Sequence, residues 1–112
     1  MIKVAVPCIG AGGMEDLVSM RIEAARSITV VNIDRGEVRG CLVFRAPIFT
    51  YGGQARDVIP RVLSNMGINF VVACEFERDF EEKLRAEGIE MFTIGEEATV
   101  REAVEALLSR LH

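Results

Sequence analysis

The chain has 112 residues, half of them apolar and about a quarter charged, with a formal net charge of −4 at pH 7. This is the size and mix of one globular domain, and it excludes two domains or a disordered chain. No Lys/Arg cluster stands out and no apolar run reaches the roughly 18–20 residues that span a bilayer, so neither nucleic acid nor a membrane is an expected partner.

Ile2 to Val6 reads as a first strand stopped by Pro7. Lys3 interrupts this start, which does not suit a signal peptide, and a cytoplasmic protein is expected. Cys8 to Gly13 is a glycine-rich loop. Met14, Leu17, Val18, Arg21, Ile22 and Ala25 recur with a helical period, so a short helix or helical turn is expected there. Ser27 to Ile33 is β-branched and reads as a strand. Asp34 to Glu37 is a turn, with Gly36 suited to a positive φ. Val38 to Phe44 completes a hairpin. Val38, Leu42 and Phe44 should share one face of it, and Arg39, Cys41, Val43 and Arg45 the other.

Thr50 to Ala55 joins this strand to the clearest helix, with apolar positions Ala55, Val58, Ile59, Val62, Leu63 and Met66. Pro60 should kink or shorten it, and Gly67 stops it. Asn69 to Cys74 is a nearly unbroken apolar run, as in a strand buried on both faces. Phe76, Phe80 and Leu84 mark the inner side of a second helix, ended by Gly88. Glu90 to Ile94 is a short strand. Thr99-Val100-Arg101-Glu102 is a capping box opening a last helix that buries Val100, Ala103, Val104, Leu107, Leu108 and Leu111. A meander followed by alternating strands and helices implies an α/β fold with a mixed sheet covered by helices.

In open α/β sheets ligands collect beyond the carboxyl ends of parallel strands. Cys8 and Cys74 each follow such an end. If their strands are parallel neighbours, both thiols share a rim with Gly10, Gly12 and Gly13, where soft thiolates could hold an iron–sulfur or copper-type centre. The alternative is that both are small core residues, the usual place of free cysteine. Tyr51, Gly52, Gly53 and Gln54 precede a helix start whose unpaired N–H groups suit an anion; a plain turn explains the same glycines. Other chemistries lack their residues. The third glycine of a dinucleotide fingerprint falls at Glu15. The acids from Glu75 to Glu82 scatter over a helix surface rather than forming a two-metal site. The only histidine is His112, which leaves no base for a Ser or Cys nucleophile and no zinc site of ordinary spacing. Catalysis is not expected.

The order of Ile2-Lys3-Val4-Ala5-Val6-Pro7, Val18-Ser19, Ser27 to Asp34, Gly53-Gln54-Ala55, Gly67 to Ala73, Gly88 to Phe92 and Ala98 to Val104 resembles the dinitrogenase iron–molybdenum cofactor biosynthesis family, the NifX/NafY-like domain also found at the C-terminus of NifB. The resemblance runs nearly end to end. It implies a single ribonuclease H-like domain: a five-stranded mixed sheet of order 3-2-1-4-5 with helices on both faces. It also implies a non-enzymatic binder or carrier of iron–molybdenum cofactor, its precursor or a related metal–sulfur cluster, with cofactor-biosynthesis proteins as partners. Members continue after Val-Ser with an acidic residue and His-Phe-Gly-Arg-Ala; here Arg21 stands at the histidine and Ala24 at the arginine. After the fourth strand members often carry glycine and a Gly-Pro pair, where this chain has Cys74 to Arg78. The expected cofactor contacts are therefore Arg21 for charge, backbone at Gly10, Gly12, Gly13, Tyr51, Gly52, Gly53 and Gln54, and thiolates from Cys8 and Cys74. A divergent member acting as an interaction or regulatory module is the other reading.

Overall fold

The computed structural model describes residues 1–45 and 55–111. Its elements in chain order are β1 (Ile2–Cys8), a 3-10 turn (Ile22–Ala24), β2 (Ser27–Asp34), β3 (Glu37–Arg45), α1 (Ala55–Asn65), β4 (Phe70–Ala73), α2 (Arg78–Ala86), β5 (Glu90–Thr93) and α3 (Val100–Leu111). The five strands form one sheet of order β3-β2-β1-β4-β5. The β1–β2 and β2–β3 pairs are antiparallel, while β1–β4 and β4–β5 are parallel. The strand order and mixed sense are those implied by the family resemblance.

Alternation along β1 sends Val4, Val6 and Cys8 to one side of the sheet and Ala5 to the other. On Ala5's side lie Ile59 and Leu63 of α1 and Phe80 and Leu84 of α2, with Ile28, Val30 and Val71. Opposite, Val100, Ala103, Val104 and Leu107 of α3 cover Val4, Val6, Val31 and Val72. Helices thus cover both faces, and each helix buries the stripe read from its periodicity. Among the described stripe residues the exceptions are Leu111, 45% exposed at the end of α3, and Val58 of α1, 38% exposed. The α1 helix runs through Pro60.

Three sequence expectations change. First, β1 continues through Pro7 to Cys8. The Pro7 carbonyl accepts from Ser19 N–H, on the side away from β2, so the missing N–H removes no β1–β2 bond. Second, of the segment from Met14 to Ala25 only Ile22–Ala24 forms a helical turn, and Met14 to Arg21 is not helical. Val18 belongs to the core on the α3 side and Ile22 to the core on the α1/α2 side. A single helical stripe faces one way; this segment instead rounds the end of the sheet to feed both cores. Third, the hairpin register slips between Asn32 and Ile33, making Arg39 an extra residue on β3. Val38 then pairs with Ile33 rather than continuing the Leu42 face. The turn itself is the two-residue kind, with positive φ at both Arg35 (53°) and Gly36 (76°). As the edge position of β3 in the strand order implies, it has little cover: Val38, Leu42 and Val43 are all more than two-fifths exposed.

Candidate functional site

The carboxyl ends of β1 and β4 lie side by side, because Val4 pairs with Phe70 and Ala5 with Val71. Cys8 and Cys74 follow at the same level, as the parallel arrangement requires. They do not meet. The chain after the glycine loop returns between them: Ile9 N–H donates to Leu17 C=O (3.1 Å), Ser19 N–H to Pro7 C=O (2.7 Å) and Glu75 N–H to Met20 C=O (2.9 Å). Leu17 to Met20 is thus bonded to β1 on one side and to Glu75 on the other. An isolated bridge pairs Val18 with Cys8.

Cys8 is fully buried in the α3-side core. Its Sγ lies 3.3 Å from Thr29 Oγ1 and 3.4 Å from the Val6 carbonyl oxygen. Burial pushes its thiol up from the ordinary value, against a smaller opposing effect of the Thr29 hydrogen bond. Protonated and enclosed, it is placed as a core residue. Cys74 is half-buried and reaches a groove with Ile9, Leu17 and Met20. Its thiol is raised too, by burial and then by the carboxylates of Glu96 and Glu75. A thiolate is therefore disfavoured at both positions at neutral pH. Among the described residues, no three His, Cys, Asp or Glu side chains gather to hold a metal ion. Cys41 is exposed on β3, on the side opposite Leu42.

The glycine loop does bind an anion, but its own. Asp16 Oδ2 accepts from Gly10 N–H (3.0 Å) and Gly12 N–H (2.8 Å), and Oδ1 from Leu17 N–H (2.8 Å). Gly13 N–H donates to Thr29 Oγ1 at 2.9 Å, and Ser27 Oγ donates to Gly10 C=O at 2.7 Å. Gly12 sits so close to β3 that a Cβ there would lie 2.5 Å from Val43 Cγ1. The N–H groups expected to meet a ligand at Gly10, Gly12 and Gly13 are spent inside the protein. An aspartate following a Gly-x-Gly-Gly loop was the available signal in the sequence, because short acidic side chains seek nearby backbone donors.

The start of α3 is closed in the same way. Thr99 Oγ1 accepts from Glu102 N–H and Glu102 Oε1 from Thr99 N–H, forming the expected capping box. The next two N–H groups, of Val100 and Arg101, donate to the Asp16 and Met14 carbonyls.

Arg21 stands at the rim with its Nε hydrogen-bonded to Glu75 Oε1. Its charge has a carboxylate partner there, so pairing with an anionic cofactor would compete with Glu75. Two other rim cations have no acidic partner among the described residues: Arg26, just before β2, and Arg45, opposite Ser27 at the end of β3. Counting outward from the hairpin turn puts Ser27 opposite Phe44. The extra residue at Arg39 brings Arg45 there instead, so pairing by simple count misses it. Tyr51, Gly52, Gly53 and Gln54 lie outside the described residues.

These features define a small α/β domain with a mixed five-stranded sheet and a rim at the ends of β1 and β4 that its own loop largely closes. The family model described as dinitrogenase iron-molybdenum cofactor matches residues 3–110, and the chain belongs to that family. Among solved structures, the apo form of the orange protein from Desulfovibrio gigas is similar at 24% identity and a TM-score of 0.85, covering 98% of this chain and 89% of its own. A NifB-like protein from Thermotoga, assigned to the DUF35 family, is 26% identical with a TM-score of 0.75, covering 97% and 89%. The protein PH0822 is 21% identical with a TM-score of 0.81, covering 97% and 92%. No curated protein matches the chain. Among the described residues, no helix is long and apolar enough to cross a membrane.

Proposed function

We propose that this protein is a non-enzymatic binder or carrier whose cargo is an anionic metal–sulfur cofactor: iron–molybdenum cofactor, its precursor or a related cluster. The observation that carries the reading is the family match across residues 3–110, which spans every element of the sheet. The cysteine pair does not support the reading, since Cys8 is buried and its thiol protonated. What fits an anionic cargo is charge without thiolate ligation. Arg26 precedes Ser27, Ser27 pairs with Arg45 across β2 and β3, and Arg45 is followed in the chain by the 46–54 segment that carries Tyr51, Gly52, Gly53 and Gln54. Guanidinium groups pair with anions through fixed donors and cannot ligate a metal, so the cargo is held non-covalently.

Anaerobic reconstitution with iron, sulfide and molybdate is expected to give a coloured protein. The Cys8→Ala/Cys74→Ala variant should keep the colour, and the Arg26→Ala/Arg45→Ala variant should lose most of it. Loss of colour in the cysteine variant, with its fold intact by circular dichroism, would restore thiolate ligation. A colourless wild type would favour the second reading, an interaction or regulatory module without cofactor. That reading has support of its own in the Asp16-filled glycine loop and the Arg21–Glu75 pair, which close the places expected to receive a ligand.

A further inference from the structure

Beside Cys74 the rim holds a groove of about 250 Å³ lined by Ile9, Leu17, Val18 and Met20, with Glu96 and Glu97 at its border. Ile9 is 50% and Met20 43% exposed, which puts two large apolar side chains at this groove. The volume falls below the roughly 300–1,000 Å³ of ordinary small-molecule sites, yet it is enough for one side chain. Pockets filled by one anchoring side chain are the usual centres of protein–protein interfaces.

The charge at this groove is one-sided. Glu96 and Glu97 have no cationic partner among the described residues. Of the cations near the groove, Arg21 is paired with Glu75 and Arg101 with Glu15, and no cation is among the residues lining it. The carboxylates of Glu96 and Glu75 also act together on the Cys74 thiol, so the groove itself feels the negative field. An anionic cofactor is repelled here; a cationic apolar group is attracted.

We infer that this groove docks a protein segment presenting one large apolar side chain flanked by lysine or arginine. The apolar side chain enters between Ile9, Leu17 and Met20, and the flanking cations meet Glu96 and Glu97. Neither Arg26 nor Arg45 lines the groove, so the inference is tested separately from cofactor binding.

The test is a titration of the full chain, labelled with nitrogen-15, with the synthetic peptide Gly-Lys-Lys-Phe-Lys-Lys-Gly at low salt. Amide shifts are expected at Ile9, Leu17 to Met20, Cys74, Glu96 and Glu97, and should fade at high salt. The Glu96→Gln/Glu97→Gln variant should bind roughly five- to tenfold more weakly, since exposed charge pairs each contribute modestly. Exchanging the peptide's phenylalanine for glycine should abolish the shifts. Equal shifts from the glycine peptide would reduce the effect to unspecific charge and overturn the inference, as would shifts centred elsewhere, none at all, or equal binding by the Gly-Glu-Glu-Phe-Glu-Glu-Gly peptide.

Discussion

Asp16 shows how one side chain can settle what a loop does. Three backbone N–H groups converge on its carboxylate, and a loop that could have held a foreign anion holds this one instead. Asp16→Ala leaves those donors without a partner and should cost about 2–4 kcal/mol in urea unfolding, with Asp16→Asn intermediate. Cys8 makes a second case. Its folded thiol is raised above its unfolded value, so its contribution is complete below the unfolded value and declines as pH rises past it. Stability should therefore fall as pH climbs above about 9, and Cys8→Ala should flatten part of that slope when unfolding is followed against pH. In the native protein a thiol reagent should modify exposed Cys41 first, Cys74 more slowly and Cys8 only on unfolding.

Among the elements, the glycine loop is shaped by the strands beneath it. Gly12 and Gly13 both have positive φ, 91° and 104°, but only Gly12 lies against β3. Gly13→Ala should cost about 1 kcal/mol for the backbone alone, and Gly12→Ala more than twice that, because its Cβ meets Val43 as well. The start of α3 is held by the Thr99–Glu102 capping box, and Thr99→Ala should remove about 1 kcal/mol. β3 is stabilised mainly through its long pairing with β2, since its own side chains are exposed. The extra residue at Arg39 and the charges of Arg39 and Arg45 interrupt its outer edge, a recognised way of discouraging strand-to-strand aggregation.

For the whole molecule, two apolar layers meet through one sheet, and the α1/α2 layer turns on Phe80, only 2% exposed among Ile59, Leu63, Val71 and Leu84. Phe80→Ala should cost about 3–5 kcal/mol in denaturant unfolding, a large part of the stability of a domain this size. The family match covers the same body from residue 3 to residue 110, and the departures from the resembled motif read in the sequence, at Arg21, Ala24 and Cys74, lie outside the strands and α-helices. Conserving a fold needs only that apolar positions keep their spacing. Conserving a site needs particular side chains, so the two diverge at different rates.

The local signals determined nearly every strand and helix: β-branched runs at β1, β2 and β4, apolar stripes in α1, α2 and α3, the Gly36 turn and the capping box at Thr99. The strand order and mixed sense came with the family resemblance. Between Met14 and Ala25 periodicity found only the turn at Ile22–Ala24, because Val18 and Ile22 serve cores on opposite sides of the sheet and no one-dimensional period carries that information. Placing Cys8 and Cys74 on one rim was legible from parallel strands; their separation was not, since it depends on Leu17 to Met20 returning between them. The partners of Arg21 and of the Gly10, Gly12 and Gly13 N–H groups were likewise decided only in three dimensions. Glu75 lies 54 residues from Arg21 in the chain and Thr29 lies 16 from Gly13, and a hydrogen bond depends on ångström distances that spacing along the chain does not encode.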